Sequence, residues 1–221
     1  MTTIPSIGEI NKVSDRMKIG GHEITQCLMK AMKTERGVHI ESLLCALGAL
    51  AGYSCQASVR AQAIAAGLSE EAMLIVAETN DGKRFFMGDP LNLALAESEY
   101  SIWALAAGEA QSAGCTALPD VSAIYKHAVQ TMGSSEFGIP RIPKENRPGD
   151  LPVNYLNSLW RHIYPIAITH CEMAAELPVV FGNAVQEAID IGKSVVAPRL
   201  ALEIVMESAI PMSKVELQNG A

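Results

Sequence analysis

The sequence contains no pair of cysteines close enough for a zinc ribbon or a thioredoxin-type redox site. It also has no His-Glu-x-x-His run, no Glu-x-x-His pair of the di-iron kind and no Gly-x-Ser-x-Gly nucleophile turn. No Gly-x-Gly-x-x-Gly follows a strand pattern, which removes the usual dinucleotide-binding unit. The nearest thing to a phosphate loop is Gly192-Lys193-Ser194, but Glu187 stands where its first glycine belongs, and the preceding residues read as helix. No metal and no cofactor is therefore expected.

Aromatic residues are scarce, at 5%, and charged residues make up only 19% of the 221 positions. With 49% apolar residues there is enough to bury a sizeable core. Ala, Leu, Ile, Val and Met have to fill it, which favours closely approaching helices. No apolar leader segment opens the sequence, in which MTTIPSIGEINKVSDR comes first, and a cytoplasmic setting is expected. The five cysteines, at 27, 45, 55, 115 and 171, are odd in number and mostly sit in apolar runs. They read as free thiols of a reducing compartment.

The net charge is −7, unevenly spread. Residues 68–120 hold nine acids against two bases. An acidic surface repels phosphate backbones, so no nucleic-acid partner is expected. One uncharged run, Ser42 to Val59, approaches the length of a membrane span. Its second half, GYSCQAS, is too polar for hydrocarbon, and it reads as a buried helix with no membrane role. Gly48 and Gly52 lie four apart within it, with Ala49, Ala51 and Ala57 nearby, a surface on which another helix can pack closely.

The pattern along the chain predicts a mainly α protein, an irregular multi-helix domain with one β-hairpin at about residues 73–88. A single helical domain over 1–221 is expected, with a loosely ordered N-terminus and a frayed tail after Pro211. The first helix is predicted to end near Gly20-Gly21, and a later one to kink or end at Pro165, with a continuation through Ile166 to Ala175. The hairpin is the clearest local signal: Met73 to Thr79 and Lys83 to Met87 flank Asn80-Asp81-Gly82, a turn that accepts positive φ. Two strands alone are marginal in water. The hairpin must lie on the helices, pair with a short apolar scrap such as Val179-Val180-Phe181 or Val195-Val196, or pair with its copy in a homodimer.

The longest break in regular pattern is Gly133 to Pro152, with four prolines and three bases, Arg141, Lys144 and Arg147. Such a loop is often functional. Arg147-Pro148-Gly149-Asp150 suggests a type II turn, and Asp150 suits the cap of the next helix. Folded over that helix, the loop would gather Arg141, Lys144, Arg147, Asp150, Asn154, Tyr155 and Arg161 around a small anionic ligand, a carboxylate or a phosphate. The competing reading has these bases pairing with nearby acids. Elsewhere, His162 and His170 with Cys171 and Glu172, the carboxylate pairs Glu172/Glu176 and Glu203/Glu207, and Cys55 all read more simply as structure. Two functional classes remain: a non-catalytic protein that assembles with itself or a partner, and an enzyme or small-molecule binder using the basic loop.

Overall fold

The computed structural model describes residues 7–217; the N-terminal residues expected to be loose lie outside that range. The chain is mainly helical with a single two-stranded antiparallel sheet. The helices are α1 (Ile7–Ala31), α2 (Ile40–Ala65), α3 (Asp89–Asn92, running into a π turn over Leu93–Glu97), α4 (Ile102–Ser112), α5 (Val121–Thr131), α6 (Pro152–Ile168), α7 (Leu177–Gly192) and α8 (Pro198–Met212). Strands β1 (Ile75–Glu78) and β2 (Arg84–Met87) form the hairpin between α2 and α3.

Helix α2 is the centre of the molecule. Leu43, Leu44, Leu47, Leu50 and Cys55 are fully buried, and α8, α7 and α6 pack around it. It is the one described helix long and apolar enough to cross a bilayer, and 89% of that apolar stretch is buried among the other helices. The glycines set how closely α8 approaches. A Cβ on Gly48 would stand 2.5 Å from the Val205 carbonyl oxygen, and one on Gly52 only 2.0 Å from that of Ala209. Any side chain at Gly52 must therefore push the two backbones apart.

The same physics corrects the expectation at Gly20-Gly21. Helix α1 runs straight through both. A Cβ on Gly20 would meet His170 at 2.8 Å, and one on Gly21 would meet Asn183 at 2.7 Å. These glycines permit helix contact, and that packing outweighs their cost to the helix. Pro165 likewise does not end its helix: α6 continues to Ile168. The proline removes one backbone donor. Pro165 and Arg161, four residues earlier, are both exposed, so the orphaned carbonyl lies on the solvent side. Val179-Val180-Phe181 is helical, inside α7, and is no partner for the hairpin.

Candidate functional site: a small sheet with one open edge

The hairpin forms where β-branched and aromatic residues flank a strongly cued turn. Thr79 N–H donates to the Lys83 carbonyl at 2.9 Å, and Gly82 N–H donates back to Thr79 at 2.9 Å. Gly82 takes φ +80°, and the Thr79 hydroxyl bonds the Asp81 carboxylate. This is a three-residue loop closed by a left-handed glycine. The register is Ile75↔Met87, Val76↔Phe86, Ala77↔Phe85 and Glu78↔Arg84.

Beyond β2 the sheet is closed by the tail. Phe86 N–H donates to the Lys214 carbonyl at 2.9 Å, and Phe85 faces Val215 in an antiparallel bridge. The frayed tail expected after Pro211 is thus docked as far as Leu217. The Gln56 amide on α2 holds it there, donating to the carbonyls of Ser213 (2.9 Å) and Val215 (3.1 Å). Both outward carbonyls of this third segment are satisfied. Above and below, Phe86 is wholly buried under the Arg60 guanidinium, 4.2 Å from its ring, while Phe85 meets Phe137 edge-on at 5.1 Å. Arg84 bonds both Glu71 (2.6 Å) and Glu216 (2.9 Å), and this holds the Glu71 carboxyl below its ordinary pKa.

The opposite edge is different. Because Phe86 gives its N–H to Lys214, its partner Val76 forms no hydrogen-bonded pair across the hairpin; that role falls to Ala77↔Phe85 and Ile75↔Met87. The backbone groups of Val76, and of Glu78 two residues on, therefore point outward. Among the described residues nothing bonds them. Ile75 is 64% exposed and Val76 38%.

The loop from Gly133 to Pro152 runs beside the sheet. Gly133, Ser134 and Phe137 join Gly82, Phe85 and Val215 around a half-open cavity of about 640 Å³. Its bases lie elsewhere. Arg141 makes two side-chain bonds to Oε1 of Glu207, at 3.0 and 2.7 Å, and donates its backbone N–H to Oε2 at 3.4 Å. Glu207 is 7% exposed, so this ion pair pins the loop to α8. Asp150 accepts from Leu151 N–H at 2.8 Å and from the Asn154 amide at 2.6 Å, steadying the start of α6 at its Leu151 cap. Gly149 does not take the positive φ of a type II turn; its N–H goes to the Ser42 hydroxyl at 2.8 Å. Tyr155 lies under that contact, where burial raises its phenol pKa and the Ser42 hydroxyl opposes the rise. The side chains of Lys144, Arg147 and Arg161 are exposed and make no ion pair among the described residues. None of the seven predicted binding residues lines the cavity.

The other chemical candidates resolve into structure. Arg16 bonds both Glu172 and Glu176, the latter at 2.7 Å. Glu203 pairs with Arg199 and His170 with Glu23. Among the described residues no three His, Cys, Asp or Glu side chains converge as a metal set. Burial pushes the Cys55 thiol far up, and the Cys45 thiol to about 12, which suits neither as a nucleophile.

Two groupings escaped the sequence reading. At the start of α2, Ser42 Oγ lies 2.8 Å from His39 Nδ1, and His39 Nε2 lies 3.3 Å from Glu41. The order looks like a hydrolytic triad. But Ser42 is 5% exposed and receives Gly149 N–H, and Glu41 receives the Asn146 amide at 3.0 Å, so the trio docks the loop. The second is Lys214, 2% exposed, its ammonium 5.6 Å from the Tyr125 ring and without an ion-pair partner among the described residues. Burial lowers its pKa to about 8. The Tyr125 hydroxyl beside it is buried with no hydrogen-bond partner. No sequence signal marked either grouping, because each is assembled from segments far apart in the chain or from a cap too local to stand out. No protein-family model matches the chain, and neither does any curated protein or solved structure.

Proposed function

We propose that this is a non-catalytic binding protein that takes on an extended partner segment along the outer edge of β1. The observation that carries the reading is the pair of outward-facing residues, Val76 and Glu78, whose backbone groups have no partner among the described residues while the opposite edge of the sheet is closed by the tail. An added strand would satisfy them and cover Ile75 and Val76, the usual logic of strand addition. Natural sheets normally blunt such an edge; here one edge is blunted with a docked tail and the other is not.

The alternative of an anionic ligand on the basic loop draws less support. Arg141, the centre of that proposal, is committed to Glu207. Lys144, Arg147 and Arg161 stand in solvent, and none of them lines the cavity beside the sheet.

The test is a backbone nuclear magnetic resonance titration with short extended peptides of alternating apolar sequence. The amides of residues 75–79 should shift and become protected from exchange, with those of Phe85 to Met87 changing less. A shift confined to residues 141–161 on adding millimolar phosphate or a dicarboxylate would favour the loop instead.

A further inference from the structure

Resting on that reading, we infer that the strand added to β1 is β1 of a second copy of this chain, paired antiparallel about a two-fold axis through Ala77. The argument is one of register. A two-fold axis on this edge can sit at residue 76, 77 or 78 if the outward backbone groups are to meet one another. With the axis at Glu78, the two Glu78 carboxylates face each other across the pair, which is unfavourable. With the axis at Val76, Glu78 must bond with Leu74, whose N–H is already given to the Glu71 carbonyl at 2.9 Å. With the axis at Ala77, Val76 of each copy faces Glu78 of the other. All four outward N–H and C=O pairs are then used, making four hydrogen bonds, and no carboxylates are opposed.

The residue on the axis also fits. Ala77 pairs with itself in the non-hydrogen-bonded position, where the two Cα atoms come closest, about 4.5 Å apart. A small side chain belongs there. The result is a four-stranded antiparallel sheet, β2-β1-β1-β2, flanked at both ends by docked tails, and it removes the marginal two-stranded sheet as an isolated unit. The contact is isologous and closes on itself, so it yields a dimer and no fibre. The newly covered edge is short, which places the association among weak, reversible contacts.

The experiment is disulfide trapping on three single variants, Val76→Cys, Ala77→Cys and Glu78→Cys, under mild oxidation, with the unsubstituted chain as the control for its own five cysteines. Cys at 77 should link fastest, since its Cα spacing across the axis falls within the range a disulfide spans. In parallel, sedimentation equilibrium on the unsubstituted chain should show the mass rise from 23.6 kDa towards twice that with concentration. Val76→Pro should hold it at the monomer value, since the lost N–H faces outward and the hairpin's own bonds remain. Fastest linkage at 76 or 78 overturns the register. A constant monomer mass with no linkage above the control overturns the dimer. If peptides still bind the edge in that case, the partner is another protein and the binding role stands; if they do not, both readings fail together.

Discussion

The two edges of one small sheet are built to opposite specifications. Along β2, the chain spends its last described residues closing the edge: Phe86 bonds Lys214, Phe85 faces Val215, and Gln56 then ties off the carbonyls that the closing segment itself exposes. Along β1, four backbone groups and two apolar side chains are left open to solvent. The difference teaches that the open edge is not a by-product of a small sheet. A chain able to close one edge with three residues and one glutamine had the means to close the other.

The sharpest way to break this contrast is at Lys214, the most costly part of the closed edge. Its folded pKa, about 8, lies below the ordinary lysine value of 10.5. Between those values the unfolded chain binds more protons than the folded one, so stability should rise with pH from about 8 to about 10.5 and stay flat below 8 from this source. Lys214→Met removes the charge and should stabilise the protein by up to about 3 kcal/mol at pH 7, with the gain vanishing above about pH 10.5. Urea unfolding of both proteins at pH 7 and pH 10 measures it. Equal stabilisation at both pH values would show that the amine is not the origin.

Next in size is Gln56→Leu. It strips a buried donor from two carbonyls and should cost about 2 kcal/mol, with the Phe86 amide losing its exchange protection as the tail lifts. Arg141→Ala should follow at about 1–2 kcal/mol, because it leaves the Glu207 carboxylate buried without its cation, offset by water reaching a half-exposed site. By contrast, Arg147→Ala should change stability by less than about 0.5 kcal/mol in the same urea series, since nothing in the structure leans on it. Val76→Pro on the open edge should be as mild for the monomer. If instead it destabilises the dilute monomer as much as Gln56→Leu does, the β1 edge is not open and the contrast fails.

What could be read from the sequence was what is local. The hairpin was legible because its turn residues and its β-rich flanks carry the same message within fifteen residues. The small-residue face of α2 was legible for the same reason. Gly20, Gly21 and Pro165 misled because their local cost was judged without the neighbours that make glycine useful or solvent exposure that makes proline harmless. Arg141 was singled out for an anionic ligand, whereas its partner in the structure, Glu207, lies sixty-six residues away and gave no sign of being buried. The docked tail was illegible in principle: Ser213, Lys214 and Val215 carry no strand pattern, and they are held by Gln56, a residue of another helix.

The order of these pieces along the chain also bears on how the protein is made. The hairpin and its two buried phenylalanines emerge well before Val215, and α3 through α8 lie between them. At ordinary rates of synthesis, that separation lasts several seconds at the least. For that interval both edges of the nascent sheet are bare, although Arg60, which covers Phe86, is already made. The segment that closes the β2 edge leaves the ribosome only after α8, so a chain cut short before Ser213 would carry two open edges where the intact fold carries one.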